Sequence, residues 1–187
     1  MRTHDRLAEL EPGCSPAQAM ELFDSCEPLS WRQMLGQWKG SGLPTGHPMD
    51  GLLEATGWYG KNFAGMDEVD PLVFRDRRGR LVRVNPALMP MGAPRQLFDL
   101  TTREPVSRIV RPIVSSLRTF SPAARLRQVE YRGQVTATMI YDALPICDHF
   151  RAVDEDTVVG AMDYRKSPQP FMFVLRRVTG SQREEIT

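Results

Sequence analysis

Lysine, cysteine and histidine are each used only three times in this chain of 187 residues. Cys14, Cys26 and Cys147 are widely spaced and form no Cys-x-x-Cys pair, which excludes a disulfide framework and a structural zinc site and leaves reduced thiols. His4, His47 and His149 are not at paired ligand spacings, so no metal is expected. No apolar run approaches the length needed to cross a bilayer, and the first residues lack the apolar core of a secretory signal. A cytoplasmic protein without a membrane partner is the expectation. P-loop, GxGxxG and GxSxG motifs are also missing, as is any ordered alternation of strand and helix patterns.

What is present is arginine: 21 of the 24 basic residues, nearly balanced by 23 carboxylates for a net charge of +1. The cluster FRDRRGRLVR (74–83) sits at a hairpin tip and continues into no basic stripe, so nucleic acid is not expected as a partner. Hydrophobic residues at 41% and charged residues at 25% fit one globular domain.

SPAQAMELFDSC offers Ser15 as N-cap, Pro16 at the first helical position and an apolar stripe at 19, 20, 22 and 23, predicting a helix. Ser30 begins a second, one-turn helix that leads into Gly36. LLEATG predicts a short helix ended by Gly57, and DPLVFRDRRGRLVRV a β-hairpin around Gly79. The proline-rich stretch 89–127 has no readable pattern. From Gln134 onward, four alternating segments with short connections predict an antiparallel meander.

LGQWKGSG followed by GHPMDGLLEATGWYGKNF resembles the GXWXG-domain family. YRGQVTATMIYDALPICDHFRAVDEDTVVGAMD and FMFVLRR resemble the domain of unknown function that usually follows it in bacterial proteins. The resemblance implies a mainly β fold, an antiparallel calycin-like (lipocalin-like) barrel with short N-terminal and inserted helices; the alternative is an α+β fold with a C-terminal meander. It divides the chain into an N-terminal helical segment (1–29), one barrel domain (30–178, with the GXWXG part at about 30–88 and the meander at about 128–178) and a flexible tail (179–187). In calycins the tryptophan of such an opening plugs one barrel end, which makes Trp38 a structural plug. The tighter GxWxGxG spacing is similar to nitrobindin-type haem barrels. Their axial histidine lies on a C-terminal strand, and FMFVLRRV has none, so haem is disfavoured and no cofactor is expected.

Chemistry is sought downstream of that motif. Trp58, Tyr59, Lys61 and Phe63 combine aromatic surface with one cation, and Met139, Phe150 and Asp163 add meander positions; these seven are the expected ligand-binding residues. If Ile146 and Phe150 face inward, Asp148 does too, while neighbouring His149 faces out. A carboxylate in an apolar cavity must be paired, hydrogen-bonded or protonated, so Asp148, Tyr141 and His149 are the catalytic candidates should the protein be an enzyme. Two functions follow: binding a small hydrophobic or aromatic molecule, or a cofactor-independent isomerase, cyclase or lyase acting by proton transfer. A third, weaker reading makes the arginine-rich hairpin an interaction module. His4 is expected in a mobile N-terminus, and a homodimer through a barrel rim or edge is possible.

Overall fold

The computed structural model describes residues 2–88 and 117–187; of the unreadable stretch 89–127, residues 89–116 lie outside them. In chain order the elements are α1 (Thr3–Leu10), α2 (Pro16–Ser25), β1 (Glu27–Pro28), α3 (Trp31–Met34), β2 (Gly36–Gly42), α4 (Leu52–Thr56), β3 (Trp58–Phe63), β4 (Val69–Arg75), β5 (Leu81–Arg83), β6 (Ala124–Tyr131), β7 (Gln134–Tyr141), β8 (Ile146–Ala152), β9 (Thr157–Tyr164) and β10 (Phe171–Arg177).

Helix α2 starts where its capping box requires. Ser15 Oγ accepts from the Gln18 N–H (3.2 Å) and Gln18 Oε1 accepts from the Ser15 N–H (2.9 Å), with Pro16 in the first turn. Its Ala19, Leu22 and Phe23 pack on the outer faces of Val159, Ala161, Met172 and Val174. The start of the chain, expected to be mobile, forms α1, because Leu7 adds to the same apolar cluster. α3 starts with half of the same device: Gln33 Oε1 accepts from the Ser30 N–H (2.8 Å).

Eight strands run antiparallel in the order β8-β7-β6-β4-β3-β2-β10-β9, and β9 pairs back to β8, closing a barrel. β1 and β5 are short additions to β8 and β4. Tight connections explain the meander: β7 to β10 are joined by turns too short for anything but neighbouring antiparallel strands. The ladder is uneven. β8 and β9 share seven registered pairs, whereas β4 meets β6 at the single pair Val69↔Ala124.

Side chains on alternate strand positions fill the lumen, among them Trp38, Phe63, Met139, Phe150 and Phe173. Trp38 is fully buried at the α3 end, where its Nε1 donates to Met34 O (2.7 Å) and the Arg177 guanidinium lies 4.2 Å above the ring. Arg177 also donates to Leu35 O (2.8 Å) and Gln33 O (2.5 Å), fastening α3 over the barrel end. At the other end of β2, Glu54 of α4 accepts from the Gly42 N–H (2.7 Å), and α4 lies over the second mouth between left-handed Gly51 (φ 78°) and Gly57 (φ 83°). The last residues, expected to be a flexible tail, pack across β5: Thr187 N donates to Leu81 O (2.9 Å) and Ile186 joins Tyr59, Val73, Leu81 and Val178.

Candidate functional site

Strand β3 is irregular, and the irregularity builds the site. Strict alternation would place Trp58 and Lys61 on opposite faces. The pairing with β4 shifts between Trp58 and Gly60, so two residues of β3 oppose one step of β4. Trp58, Lys61 and Phe63 all turn to the lumen as a result. Only glycine fits the bulge: Gly60 has φ 153°, and a Cβ there would stand 1.9 Å from Trp38 O. Gly40 serves Trp58 similarly, since a Cβ would lie 2.1 Å from the indole ring.

Under α4, Trp58 and Lys61 meet the meander around a cavity of about 50 Å³, with Met49, Leu52, Leu72, Tyr141, Leu144, Ile146, Asp148, Met162, Phe171 and Phe173 also in its walls. Lys61 and Asp148 are 3% and 1% exposed, and Nζ lies 2.8 Å from Asp148 Oδ2. Nζ also donates to Pro71 O (3.1 Å) and Tyr141 Oη (3.4 Å), and sits 5.1 to 5.7 Å from the rings of Phe173, Trp58 and Tyr141. The ammonium donates to Oδ2, which leaves Asp148 Oδ1 without a hydrogen-bond donor among the described residues; Trp58 Nε1 has no acceptor either. Burial raises the Asp148 carboxyl above the ordinary carboxylate range, and Lys61 opposes this only in part. Burial, with the Asp148 charge second, holds the Tyr141 phenol well above its ordinary value.

The expected site residues separate into three groups. Trp58, Lys61, Tyr141 and Asp148 line the cavity. Phe63, Met139 and Phe150 belong to the lumen core; Phe63 meets Phe150 edge to face at 5.7 Å. Tyr59, His149 and Asp163 lie outside the lumen: Tyr59 under the Arg75 guanidinium (5.1 Å), Asp163 exposed on β9, and His149 stacked on Tyr131 at 3.8 Å with Nδ1 2.9 Å from Thr138 Oγ1. The apolar cap residues Met49, Leu52 and Leu144 were not singled out from the sequence, because a loop and a five-residue helix carry no pattern that says what they cover. The arginine-rich hairpin is largely neutralised internally, with Arg75 on Glu184 (2.7 Å), Arg80 and Arg118 on Asp76 (3.1 and 3.0 Å) and Arg83 on Asp70 (3.0 Å).

His149 gives the fold a pH dependence. Burial lowers its pKa from 6.5 to about 4, so the unfolded chain takes up the proton first. The stability this group contributes is complete above pH 6.5 and is lost as pH falls toward about 4. Urea midpoints across that range should fall less steeply in His149→Phe, which keeps a ring on Tyr131 but cannot titrate. Equal slopes would show that His149 does not drive the acid limb, to which His47, also lowered by burial, contributes in the same direction.

A closed, eight-stranded antiparallel barrel with a buried tryptophan under a helical turn is a calycin-like fold. Residues 21–79 match the family described as GXWXG protein, and residues 122–177 match a domain of unknown function (DUF4334). The chain is similar to a protein from Thermomonospora curvata of known crystal structure: 33% identity, TM-score 0.72, covering 96% of this chain and 100% of the other. It belongs to the GXWXG protein family. Among curated proteins none matches the chain. No helix among the described residues is long and apolar enough to cross a membrane.

Proposed function

We propose that the protein binds a small hydrophobic or aromatic molecule inside the cell, in the barrel cavity beside Lys61 and Asp148 and beneath α4. One observation carries this reading: a wholly buried ion pair forms part of a largely apolar cavity wall. Desolvating the two charges costs several kcal/mol per ion, and apolar side chains would fill the same space more favourably. The surroundings fit an apolar guest, with Trp58, Phe171 and Phe173 on the walls.

At about 50 Å³ the cavity takes only a few atoms as it stands, against roughly 300–1,000 Å³ for pockets that hold drug-sized ligands. A larger guest therefore enters by displacing the cap. α4 suits that role, being five residues long and flanked by two left-handed glycines. Thermal unfolding against a panel of hydrophobic acids, alcohols, terpenoids and haem tests the reading. A binder raises the melting temperature progressively with concentration, reaching about 2.7 kcal/mol of added stability at a hundredfold excess over Kd. A flat response to every compound overturns it.

A second reading is favoured by the raised Asp148 carboxyl close to the Lys61 ammonium and Tyr141 hydroxyl: a cofactor-independent isomerase, cyclase or lyase moving a proton in the same cavity. For such an enzyme Asp148→Asn should abolish turnover while binding persists. Undiminished turnover in that variant would remove Asp148 from the chemistry.

A further inference from the structure

The cavity has unmet hydrogen-bonding capacity of two opposite kinds. Asp148, 1% exposed, offers Oδ1 as an acceptor without a donor among the described residues, and Trp58, 8% exposed, offers an indole N–H without an acceptor. Both side chains line the same cavity. Buried polar groups are nearly always satisfied, so two orphans of complementary type at one small cavity require an explanation.

Lys61 is not part of that unmet capacity. Its ammonium has three N–H groups and is ringed by three oxygens, Pro71 O at 3.1 Å, Tyr141 Oη at 3.4 Å and Asp148 Oδ2 at 2.8 Å. Its charge is matched by Asp148. A carboxylate ligand would find no free cation, would supply no proton for Asp148, and would set a second negative charge against it where water screens little. An ammonium ligand could donate to Asp148 but not accept from Trp58. A hydrocarbon would leave both groups unsatisfied.

We propose that the cavity selects the hydroxyl group of a hydrophobic alcohol, which donates to Asp148 and accepts from Trp58 Nε1. The proposal rests on the reading that the barrel binds a small molecule, and it names the head group that this molecule carries. A hydroxyl is the smallest group that both donates and accepts, and it fits a cavity of about 50 Å³. The rest of the molecule then lies toward Met49, Leu52 and Phe171, under the cap.

The test compares probes that share a skeleton and differ in head group: benzyl alcohol, benzoate and toluene, then geraniol, geranate and the parent hydrocarbon. Affinity for the full chain is measured by calorimetry. The alcohol of each set should bind about ten- to a hundredfold more tightly than its acid or hydrocarbon, as expected for hydrogen bonds that include a charged group. Trp58→Phe keeps the ring and should cut the alcohol's advantage about fivefold, leaving the hydrocarbon unchanged. Asp148→Asn leaves Lys61 unbalanced and should reverse the preference toward the acid. Equal binding of alcohol and hydrocarbon, or tighter binding of the acid by the unaltered protein, overturns the proposal while barrel binding stands. No binding by either set overturns the binding reading and this proposal with it.

Discussion

Replacing Lys61 by Met lowers the free energy of unfolding by about 3–5 kcal/mol, the range for removing one partner of a buried ion pair. The loss comes from Asp148, which is left 1% exposed with no cation and no hydrogen-bond donor among the described residues. Removing both charges in Lys61→Met/Asp148→Leu should recover most of that loss and can exceed the parent, since well-packed apolar replacements of buried pairs are often neutral or stabilising. The pH dependence of the single variant follows from the sign of the Asp148 shift. Its pKa is raised in the folded state, so the folded protein holds the proton more tightly than the unfolded chain, and the stability gained is complete below the unfolded value of 3.8 and lost as pH rises. Without Lys61 the carboxyl rises further. The deficit of Lys61→Met relative to the parent should therefore shrink between neutral pH and pH 4.5. Urea unfolding of the three proteins at both pH values decides the matter. A single variant as stable as the double would mean that the pair is not desolvated as described.

Trp38→Ala carries the second large expected effect, about 3–5 kcal/mol for emptying a fully buried aromatic site. Two further losses follow. Met34 O loses the indole N–H that caps the turn of α3, and Arg177 loses the ring beneath it while keeping its bonds to Leu35 O and Gln33 O. Trp38→Phe separates these contributions, because it refills much of the volume but leaves Met34 O without its donor, at about 1–3 kcal/mol. Denaturant midpoints give both numbers, and a cost below about 1 kcal/mol for the alanine variant would contradict a plug.

Where a local rule governs structure, the sequence is a good guide. The Ser15/Gln18 and Ser30/Gln33 caps, the Gly57 helix end and the four-strand meander all follow from patterns within a few residues, and the structure has them. β6 is not legible because the inward parity that Ala124 and Leu126 begin continues as polar Gln128 and Glu130, and its start lies inside the unreadable proline-rich stretch. The inward direction of Asp148 was readable from its parity with Ile146 and Phe150. Its partner was not. Lys61 reaches the lumen only because of the bulge at Gly60, and a glycine inside a strand was the signal available for it. Nothing in one strand, moreover, says which strand faces it across a barrel; that depends on closure, a property of the whole chain.

Closure gives the Lys61–Asp148 contact a mechanical meaning. Counting round the barrel, β3 and β8 are four strands apart in either direction, so the ion pair, together with the Phe63–Phe150 contact, spans a full diameter. It braces the bore as a spoke braces a rim. The rim is thinnest between β4 and β6, where Val69↔Ala124 is the single registered pair. A guest that parts Lys61 from Asp148 slackens the spoke, and the circumference yields at that seam. In Lys61→Met the amides of Ala123 and Leu126, whose acceptors are Val69 O and Met66 O across the seam, should exchange with solvent ahead of those between β8 and β9; unchanged exchange there would mean the bore holds its width without the brace.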